Sequence, residues 1–153
     1  MSGKQELNKV GFSSEQELAQ TIGQVSRAWR EEMNQRLKPF GLNLSMRQVL
    51  MQLHRNPVGM MQRELARQLG IEDPTLVRLL NRLEENQWLC RHCGTEDKRR
   101  KYVRLTEKAA DQIRIIEKQT AALRVKMMER VATTDIEGCL AVMRQIKINL
   151  QPD

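Results

Sequence analysis

The sequence predicts a mainly α-helical fold with one small β-hairpin (α+β), and three observations lead to this prediction. The chain has 153 residues, a length typical of a single domain that buries its own core. Hydrophobic residues make up 40% of the chain but aromatic residues only 3%, so Leu, Val, Ile, Met and Ala must form most of that core. Apolar residues recur at helical spacing except over residues 88–105, where two short segments alternate.

The first two helices are delimited by capping and breaking signals. SEQE, residues 14–17, is a capping box that begins the first helix, and Pro39 ends this helix. SMRQ, residues 45–48, begins the second helix in the same way. The breaker cluster NPVG, residues 56–59, follows the end of the second helix.

A close pair of helices and a hairpin come next. MQRELARQLG is predicted to be a helix that closes on Gly70, because glycine readily adopts the left-handed conformation of a helix C-cap. Asp73 as the N-cap and Pro74 in the first turn then open the helix DPTLVRLLNRLEEN. WLCRHC and KYVRL alternate, and we predict that they are the two strands of a hairpin joined by GTEDKRR.

Two helices with apolar stripes close the chain. Thr106 is expected to cap the first of them, whose stripe comprises Ala109, Ile113, Ile116, Thr120, Leu123 and Met127. A capping box at residues 134–137 begins the second, whose stripe comprises Ile136, Leu140, Met143 and Leu150. Neither stripe has an evident cover within one chain, and exposure would leave a large apolar patch. The sequence therefore predicts that two copies of the chain associate.

The close helix pair followed by a hairpin is the arrangement of a winged helix-turn-helix, which places its second helix in the major groove of DNA. On a helical wheel this second helix has a leucine-rich face and a polar face that carries Thr75, Arg78 and Arg82. Arginine can pair with N7 and O6 of guanine, and threonine can contact a phosphate or a thymine methyl group. The same wheel is also compatible with an ordinary amphipathic helix that has one solvated face.

Positive charge is concentrated in the predicted hairpin. Residues 91–104 contain six Lys or Arg against two acids, a net charge of +4 in a chain whose formal net charge is +7. Four of the bases are consecutive, KRRK at residues 98–101. A basic hairpin tip beside a reading helix can lay Arg99 or Arg100 into the minor groove, where negative potential is concentrated. We therefore predict that Lys98, Arg99 and Arg100 contact double-stranded DNA. The alternative is a basic dimeric protein-interaction module that docks an acidic partner.

These segments together resemble a known family. GIEDPTLVRLLNRLEENQWLCRHCGTEDKRRKYVRLTEKA is similar to the recognition helix and wing of MarR-type transcriptional regulators, including their Asp-x-Arg wing motif at Asp97 and Arg99. RLKPFGLN, residues 36–43, and GIEDPTLVR, residues 70–78, resemble the SlyA-like branch of that family. The resemblance extends over residues 14–150.

The resemblance implies a cytoplasmic transcriptional regulator, a repressor or a competitor at promoters, that binds a pseudo-palindromic operator as a homodimer. The dimerisation region would comprise residues 13–40 and 107–150, in which the first and the last two helices interlock. Residues 41–106 would form the winged helix-turn-helix lobe that binds DNA, and residues 1–12 a flexible N-terminus. The recognition helix, residues 73–86, would lie in the major groove and the wing, residues 94–101, in the minor groove.

The resemblance also implies individual roles. Three residues, Pro74, Thr75 and Arg78, would meet the major groove, Arg99 or Arg100 would enter the minor groove, and Asp97 would brace the wing. The sequence departs from the family at Gln87, because a glycine usually follows the recognition helix. Either Asn86 or Gln87 is expected to cap the helix in left-handed geometry with slight strain.

Many relatives respond to small aromatic carboxylates or phenols bound between the dimerisation helices and the DNA-binding lobe. The positions that resemble this pocket are Arg27, Trp29, Arg30 and Arg47. An arginine there can pair with a carboxylate, and Trp29 can stack on an aromatic ring. The alternative is that Trp29 is a core residue and that the arginines are surface charges.

The sequence predicts no enzyme, cofactor, metal or membrane segment. It contains no general-base arrangement, Gly-rich phosphate loop or paired acid cluster. Cys90, His92 and Cys93 supply at most three metal ligands, and in a strand the two cysteines would point to opposite faces, too far apart for a disulfide. Oxidant sensing by Cys90, Cys93 or Cys139 stays open. No apolar run is long enough to span a membrane, and the first twelve residues lack a signal-peptide core.

Overall fold

The computed structural model describes residues 13–93 and 101–151, which form six α-helices and a three-stranded antiparallel sheet. In chain order the helices are α1 (Ser14–Leu37), α2 (Leu44–His54), α3 (Gln62–Leu69), α4 (Asp73–Glu85), α5 (Ala110–Met127) and α6 (Thr133–Asn149). The strands are β1 (Met60–Met61), β2 (Leu89–Cys93) and β3 (Lys101–Leu105), and 3-10 turns span Lys38–Phe40 and Glu107–Ala109. The predicted fold class is confirmed, and so is the predicted order of helices and hairpin strands.

The sheet contains one strand that the sequence did not predict. β3 is the central strand. It pairs with β2 from Leu105 opposite Leu89, at the base of the hairpin, to Lys101 opposite Cys93. On its other side it pairs with β1, where Met60 lies opposite Val103. Because β1 is only two residues long, it leaves no alternation in the sequence, yet it ties the start of α3 to the hairpin.

Gly59 permits the close approach of β1 to β3. Its φ is 88°, in the left-handed region, and a Cβ at this position would lie 2.8 Å from the carbonyl oxygen of Val103. A side chain would therefore force the two strands apart in addition to straining the turn. The breaker cluster that ends the second helix thus also places β1 on the sheet.

The N-caps of α1 and α2 lie one and two residues before the predicted positions. The capping box of α1 consists of Ser13 and Gln16, not of residues 14–17, and Asn43 rather than the predicted box at residues 45–48 caps α2 by accepting a hydrogen bond from the amide of Met46. Both regions hold adjacent cap-forming side chains, and tertiary contacts select among them. The amide of Leu44, for example, donates to Asn34 of α1 at 2.8 Å, which starts α2 before Ser45.

The caps of α4 and α6 also differ from the prediction. Glu72 precedes α4, so Asp73 is its first helical residue rather than its cap. Ala132 precedes α6, and the predicted box at residues 134–137 lies inside the helix. Neither helix has a side-chain hydrogen bond at its cap, so the cap-forming residues there act only as first-turn residues.

A single core joins helices α1 to α5 to the sheet. It contains fully buried leucines of α2, α3 and α4 together with Val103 of β3. Ile113, Ile116 and Leu123 of α5 belong to the same cluster, with α1 and α2 packed against them. The prediction that the apolar stripe of α5 lacks a cover within its own chain was therefore wrong, except at its end, where Met127 is exposed. The covering residues of α1 and α2 are distant in sequence, so the stripe alone did not reveal them.

By contrast, α6 has no buried residue in this chain. Its exposed apolar side chains are Leu140, Val142 and Ile148, and Leu150, which follows the last residue of the helix, has 78% of its surface exposed. The first half of α1 also has exposed apolar side chains, Leu18 and Val25. Soluble monomers rarely leave such apolar helix faces uncovered.

Candidate nucleic-acid interface

The two faces of α4 differ in burial as the helical wheel predicts. Leu76, Leu80 and Leu83 are completely buried in the core. The opposite side presents exposed Pro74, Thr75, Arg78 and Arg82. Because one face is held by the core, the other is a rigid row of hydrogen-bonding side chains that faces solvent.

α3 and α4 form a helix-turn-helix around Gly70. Gly70 has a φ of 62°, and the amide of Ile71 donates to the carbonyl of Ala66 at 3.0 Å, which closes α3 with the left-handed cap that the sequence predicts. α4 begins three residues after Gly70. Its N-terminal side chains, including Thr75, are therefore carried at the edge of the lobe, next to the turn.

The connection from α4 to β2 is built on Gln87. Asn86 has ordinary right-handed geometry, whereas Gln87 has a φ of 61°. The amide of Gln87 donates to the carbonyl of Glu84 at 2.8 Å, and that of Trp88 donates to Leu83 at 3.0 Å. This is the bonding pattern that glycine usually completes, and in a non-glycine residue the left-handed geometry costs roughly 1–2 kcal/mol. The prediction of a left-handed cap at Asn86 or Gln87 is confirmed at Gln87.

Thr106 joins the base of the hairpin to the segment that connects α4 with β2. It precedes the 3-10 turn before α5, but its side chain does not cap that turn. Its hydroxyl instead donates to the carbonyl of Gln87 at 2.5 Å, and its amide donates to the carbonyl of Trp88 at 3.1 Å. Thr106 is thus the N-cap residue of the turn that leads into α5, as predicted, but its side chain joins the exit of β3 to the end of α4 instead of capping the turn.

An ion pair between Glu84 and Arg91 was not predicted from the sequence. Arg91 of β2 donates to the Glu84 carboxylate from its amide at 3.0 Å, from Nε at 3.0 Å and from Nη2 at 2.5 Å. The side-chain hydrogen bond from Arg91 holds the pKa of the Glu84 carboxyl below its usual range. Glu84 and Arg91 lie in different elements on either side of the left-handed turn at Gln87, so neither a helical nor a strand period could reveal the pair.

The residues at the tip of the wing lie outside the described ranges. These are residues 94–100, which include the predicted brace Asp97 and the predicted DNA contacts Lys98, Arg99 and Arg100. On β3 the buried Val103 is followed by the exposed Arg104 on the other face, and Lys101, at the end of β3 nearest the tip, is exposed although it shares the face of Val103. The assignment of the tip to the minor groove therefore stays a prediction.

A groove with charges of both signs beside the start of α4 extends the candidate surface. It has a volume of about 1030 Å³ and lies between α3, the beginning of α4 and the first residue of β3. Its charged lining residues are Arg63, Glu64, Arg67, Asp73 and Lys101. Arg67 donates to Glu64 at 2.6 Å, so these two charges offset one another. Arg63 had no recognisable motif in the sequence and reaches this surface only because β1 docks α3 against β3.

The predicted effector residues are only partly brought together. The guanidinium of Arg47 lies over the ring of Trp29, with its carbon 5.6 Å from the ring centroid, and its Nε donates to the hydroxyl of Thr120 at 3.3 Å. Burial, and then the nearby charge of Arg55, lower the pKa of Arg47. Within residues 13–93 and 101–151 no carboxylate lies within 4.0 Å of Arg47.

The other two predicted effector residues, Arg27 and Arg30, are exposed on α1. No hydrogen bond or ion pair in the described part of the chain joins them to Trp29 or Arg47. Trp29 itself is partly buried against the core. The burial of Trp29 agrees with a core residue, whereas its contact with Arg47 agrees with a ligand pocket. The structure therefore has features of both interpretations.

Cys90 and Cys93 both lie in the extended strand β2. The Sγ of Cys90 accepts a hydrogen bond from Nε of Arg104 at 3.4 Å. Cys139 is exposed on α6. None of the helices in the described ranges has both the length and the apolar character needed to cross a membrane.

The core-anchored helix-turn-helix, the hairpin behind it and the exposed arginine face define a DNA-binding protein of the winged helix-turn-helix class. The family model described as MarR family matches residues 42–101 of the chain. The solved structure of the transcriptional regulator PA3341 is 37% identical over 87% of this chain and 97% of its own, with a TM-score of 0.75. The chain therefore belongs to the MarR family and is a transcriptional regulator.

More distant structures share the fold. AbsC, a MarR family transcriptional regulator from Streptomyces coelicolor, is 21% identical over 92% of this chain and 97% of its own, with a TM-score of 0.79. A cysteine-to-serine mutant of MarR from E. coli, complexed with operator DNA, is 20% identical over 85% of this chain and 93% of its own, with a TM-score of 0.76. At these identities the likeness supports the architecture alone.

Proposed function

We propose that this regulator belongs to the SlyA-like branch and binds a pseudo-palindromic operator as a homodimer, with α4 in the major groove, and that it represses or competes for promoters in the cytoplasm. The observation that carries the proposal is the exposed face of α4, because Thr75, Arg78 and Arg82 stand on a helix whose other face is fixed in the core. Pro74 would complete the major-groove contact. An operator complex of a structural relative, the E. coli MarR mutant, lends this arrangement support.

In the same proposal the wing, residues 94–101, lies in the minor groove. Lys98, Arg99 and Arg100 would supply the contacts, and Asp97 would brace them. The support is the charge of the segment and the position of the two strands directly behind α4. Arg63 and Lys101, which line the groove beside α4, are suited to the phosphate backbone between the two contacts.

The homodimer is supported by the uncovered apolar faces. α6 buries no residue within the chain, and Met33 and Leu37 at the end of α1 are that helix's only buried residues. Residues 13–40 and 107–150 would thus dimerise, and residues 41–106 would bind DNA. A twofold axis would set the two α4 helices about one turn of DNA apart, roughly 34 Å, which requires an inverted repeat in the operator.

Selection from random sequence tests the proposal without knowledge of the target genes. The protein would be incubated with a pool of randomised duplexes, and the bound fraction would be amplified and sequenced over successive rounds. We expect an inverted repeat with half-site centres about 10 base pairs apart. We also expect the affinity for that duplex to fall steeply with salt, because Lys and Arg displace counterions from phosphates. A pool that stays random would contradict operator binding and favour the basic protein-interaction module.

We further propose that a small aromatic carboxylate binds next to Trp29 and Arg47 and releases DNA. Arg47 supports this, because a half-buried guanidinium stacked on an indole, without a carboxylate nearby in the described structure, suits an aromatic anion. Arg27 and Arg30 on α1 would contribute through the dimer.

Tryptophan fluorescence provides the test of this pocket. The chain has two tryptophans, so the Trp88→Phe variant isolates the signal of Trp29. Benzoate should quench it at concentrations where the neutral analogue benzyl alcohol has no effect, and Arg47→Gln should abolish the difference. Equal responses to both compounds, or no response to either, would show that Trp29 serves only the core.

A further inference from the structure

We infer that Glu84 is a positioning residue for DNA binding, because its bond to Arg91 holds the wing strands at a fixed angle to the recognition helix α4. The inference rests on the proposed function. It concerns a residue that no motif singles out and whose negative charge would, by itself, oppose contact with DNA.

The geometry of the pair indicates orientation rather than simple charge neutralisation. One carboxylate oxygen of Glu84 accepts from the amide of Arg91 at 3.0 Å, and the other accepts from Nε and Nη2 of its guanidinium. The bond therefore fixes both the backbone of β2 and the direction of the Arg91 side chain. An ion pair serving charge alone would need no contact to the backbone amide.

The position of the pair determines what it controls. Glu84 lies in the last turn of α4, and Arg91 lies in the middle of β2, directly opposite the buried Val103 of β3. The bond thus spans the turn at Gln87 and acts on both hairpin strands beyond it. Its exposure is intermediate, 25% for the Arg91 side chain and 37% for that of Glu84, so water screens it only in part.

The turn and the core also hold the hairpin against α4, but neither fixes the direction of the Arg91 side chain. Gln87 is a strained substitute for glycine, and Thr106 fastens β3 to this turn rather than to α4. Of these fastenings, only Glu84 connects the side-chain surface of α4 to β2 directly. Two DNA contacts made by one lobe need their groups held within about 0.5 Å of the productive geometry, so loss of this connection should be felt in DNA affinity.

Glu85 provides a matched control. It is adjacent to Glu84 at the end of the same helix, is exposed, and makes no hydrogen bond with another described side chain. If charge alone mattered, Glu84→Gln and Glu85→Gln would both strengthen DNA binding, because each removes a negative charge near the phosphates. The positioning role predicts opposite signs for the two variants.

The experiment compares the two variants on the duplex that the wild-type protein selects. Glu85→Gln should leave the dissociation constant unchanged or lower it by about twofold, whereas Glu84→Gln should raise it by about tenfold. On a shortened duplex that lacks the flanking minor-groove segments, the loss caused by Glu84→Gln should shrink to below about twofold, since the wing has nothing left to contact. Equal affinities for the two variants, or an equal loss on both duplexes, would overturn the inference.

Stability and the proposed function are tested separately. Thermal unfolding by circular dichroism shows whether Glu84→Gln remains folded at the assay temperature. If it does not, Glu84→Asp, which keeps the charge but is too short to keep all three bonds, takes its place with the same expected results. If the wild-type protein selects no sequence at all, operator binding is contradicted. If it selects one and the Glu84 and Glu85 variants behave alike, only the positioning role is contradicted.

Discussion

Arg78→Ala is expected to weaken binding of the selected duplex by about 1–3 kcal/mol and to relax the sequence preference at one base pair of each half-site. Arg78 is exposed on α4 one turn after Pro74, on the face opposite the buried leucines. Its guanidinium can make two hydrogen bonds to one guanine, and alanine can make none. Because the side chain takes no part in the core, the free energy of unfolding should change by less than about 0.5 kcal/mol.

The measurement is a set of anisotropy titrations in which each base pair of a half-site is replaced in turn. The wild-type protein should lose affinity at the guanine that Arg78 contacts, and the variant should be indifferent there. Arg124→Ala is the matched control, since Arg124 is exposed on α5 and its removal changes the net charge equally. If both variants lose the same affinity and keep the same base preferences, Arg78 contributes only charge, and α4 is not the reading helix.

The architecture followed from the sequence where the signals were local. The 3.6-residue period, Gly70 at the end of α3 and the strand predicted at KYVRL each depend on neighbouring residues, and each was confirmed. Helix starts were harder to predict. Ser13 and Ser14 are equally good N-caps by residue type, and the sequence alone does not indicate which of them caps α1. A strand as short as β1 has no pattern of its own and exists only because Gly59 lets it reach β3.

The candidate site was predictable only on α4. Its polar face is a property of one helix, so a helical wheel found Thr75 and Arg78. Arg63 and the Glu84 to Arg91 pair depend on how separate elements meet, through β1 in one case and the left-handed turn at Gln87 in the other. The apolar stripes of α5 and α6 looked alike in the sequence, yet only that of α5 is covered by its own chain.

That difference between α5 and α6 leads to the second large effect. Leu140→Glu combined with Leu150→Glu should convert the protein to a monomer and reduce its operator affinity by about 100-fold or more. Both leucines are exposed in the single chain, 45% and 78% respectively, on the stripe predicted for α6. In a dimer each carboxylate would be buried in an apolar interface, which costs several kcal/mol for an unpaired charge. A monomer would also lose the gain from binding two linked half-sites.

Sedimentation equilibrium measures the association directly, and anisotropy on a duplex with one or two half-sites measures its consequence for DNA. Gln145→Glu combined with Asn149→Glu adds the same two carboxylates to α6 on the side opposite the stripe, where both residues are exposed, and should leave the dimer intact. The monomeric variant should bind a single half-site as well as a wild-type lobe does, because the core around α4 does not involve α6. If the leucine variant instead remains dimeric, the subunit contact lies elsewhere, and the uncovered stripe of α6 would need a different partner.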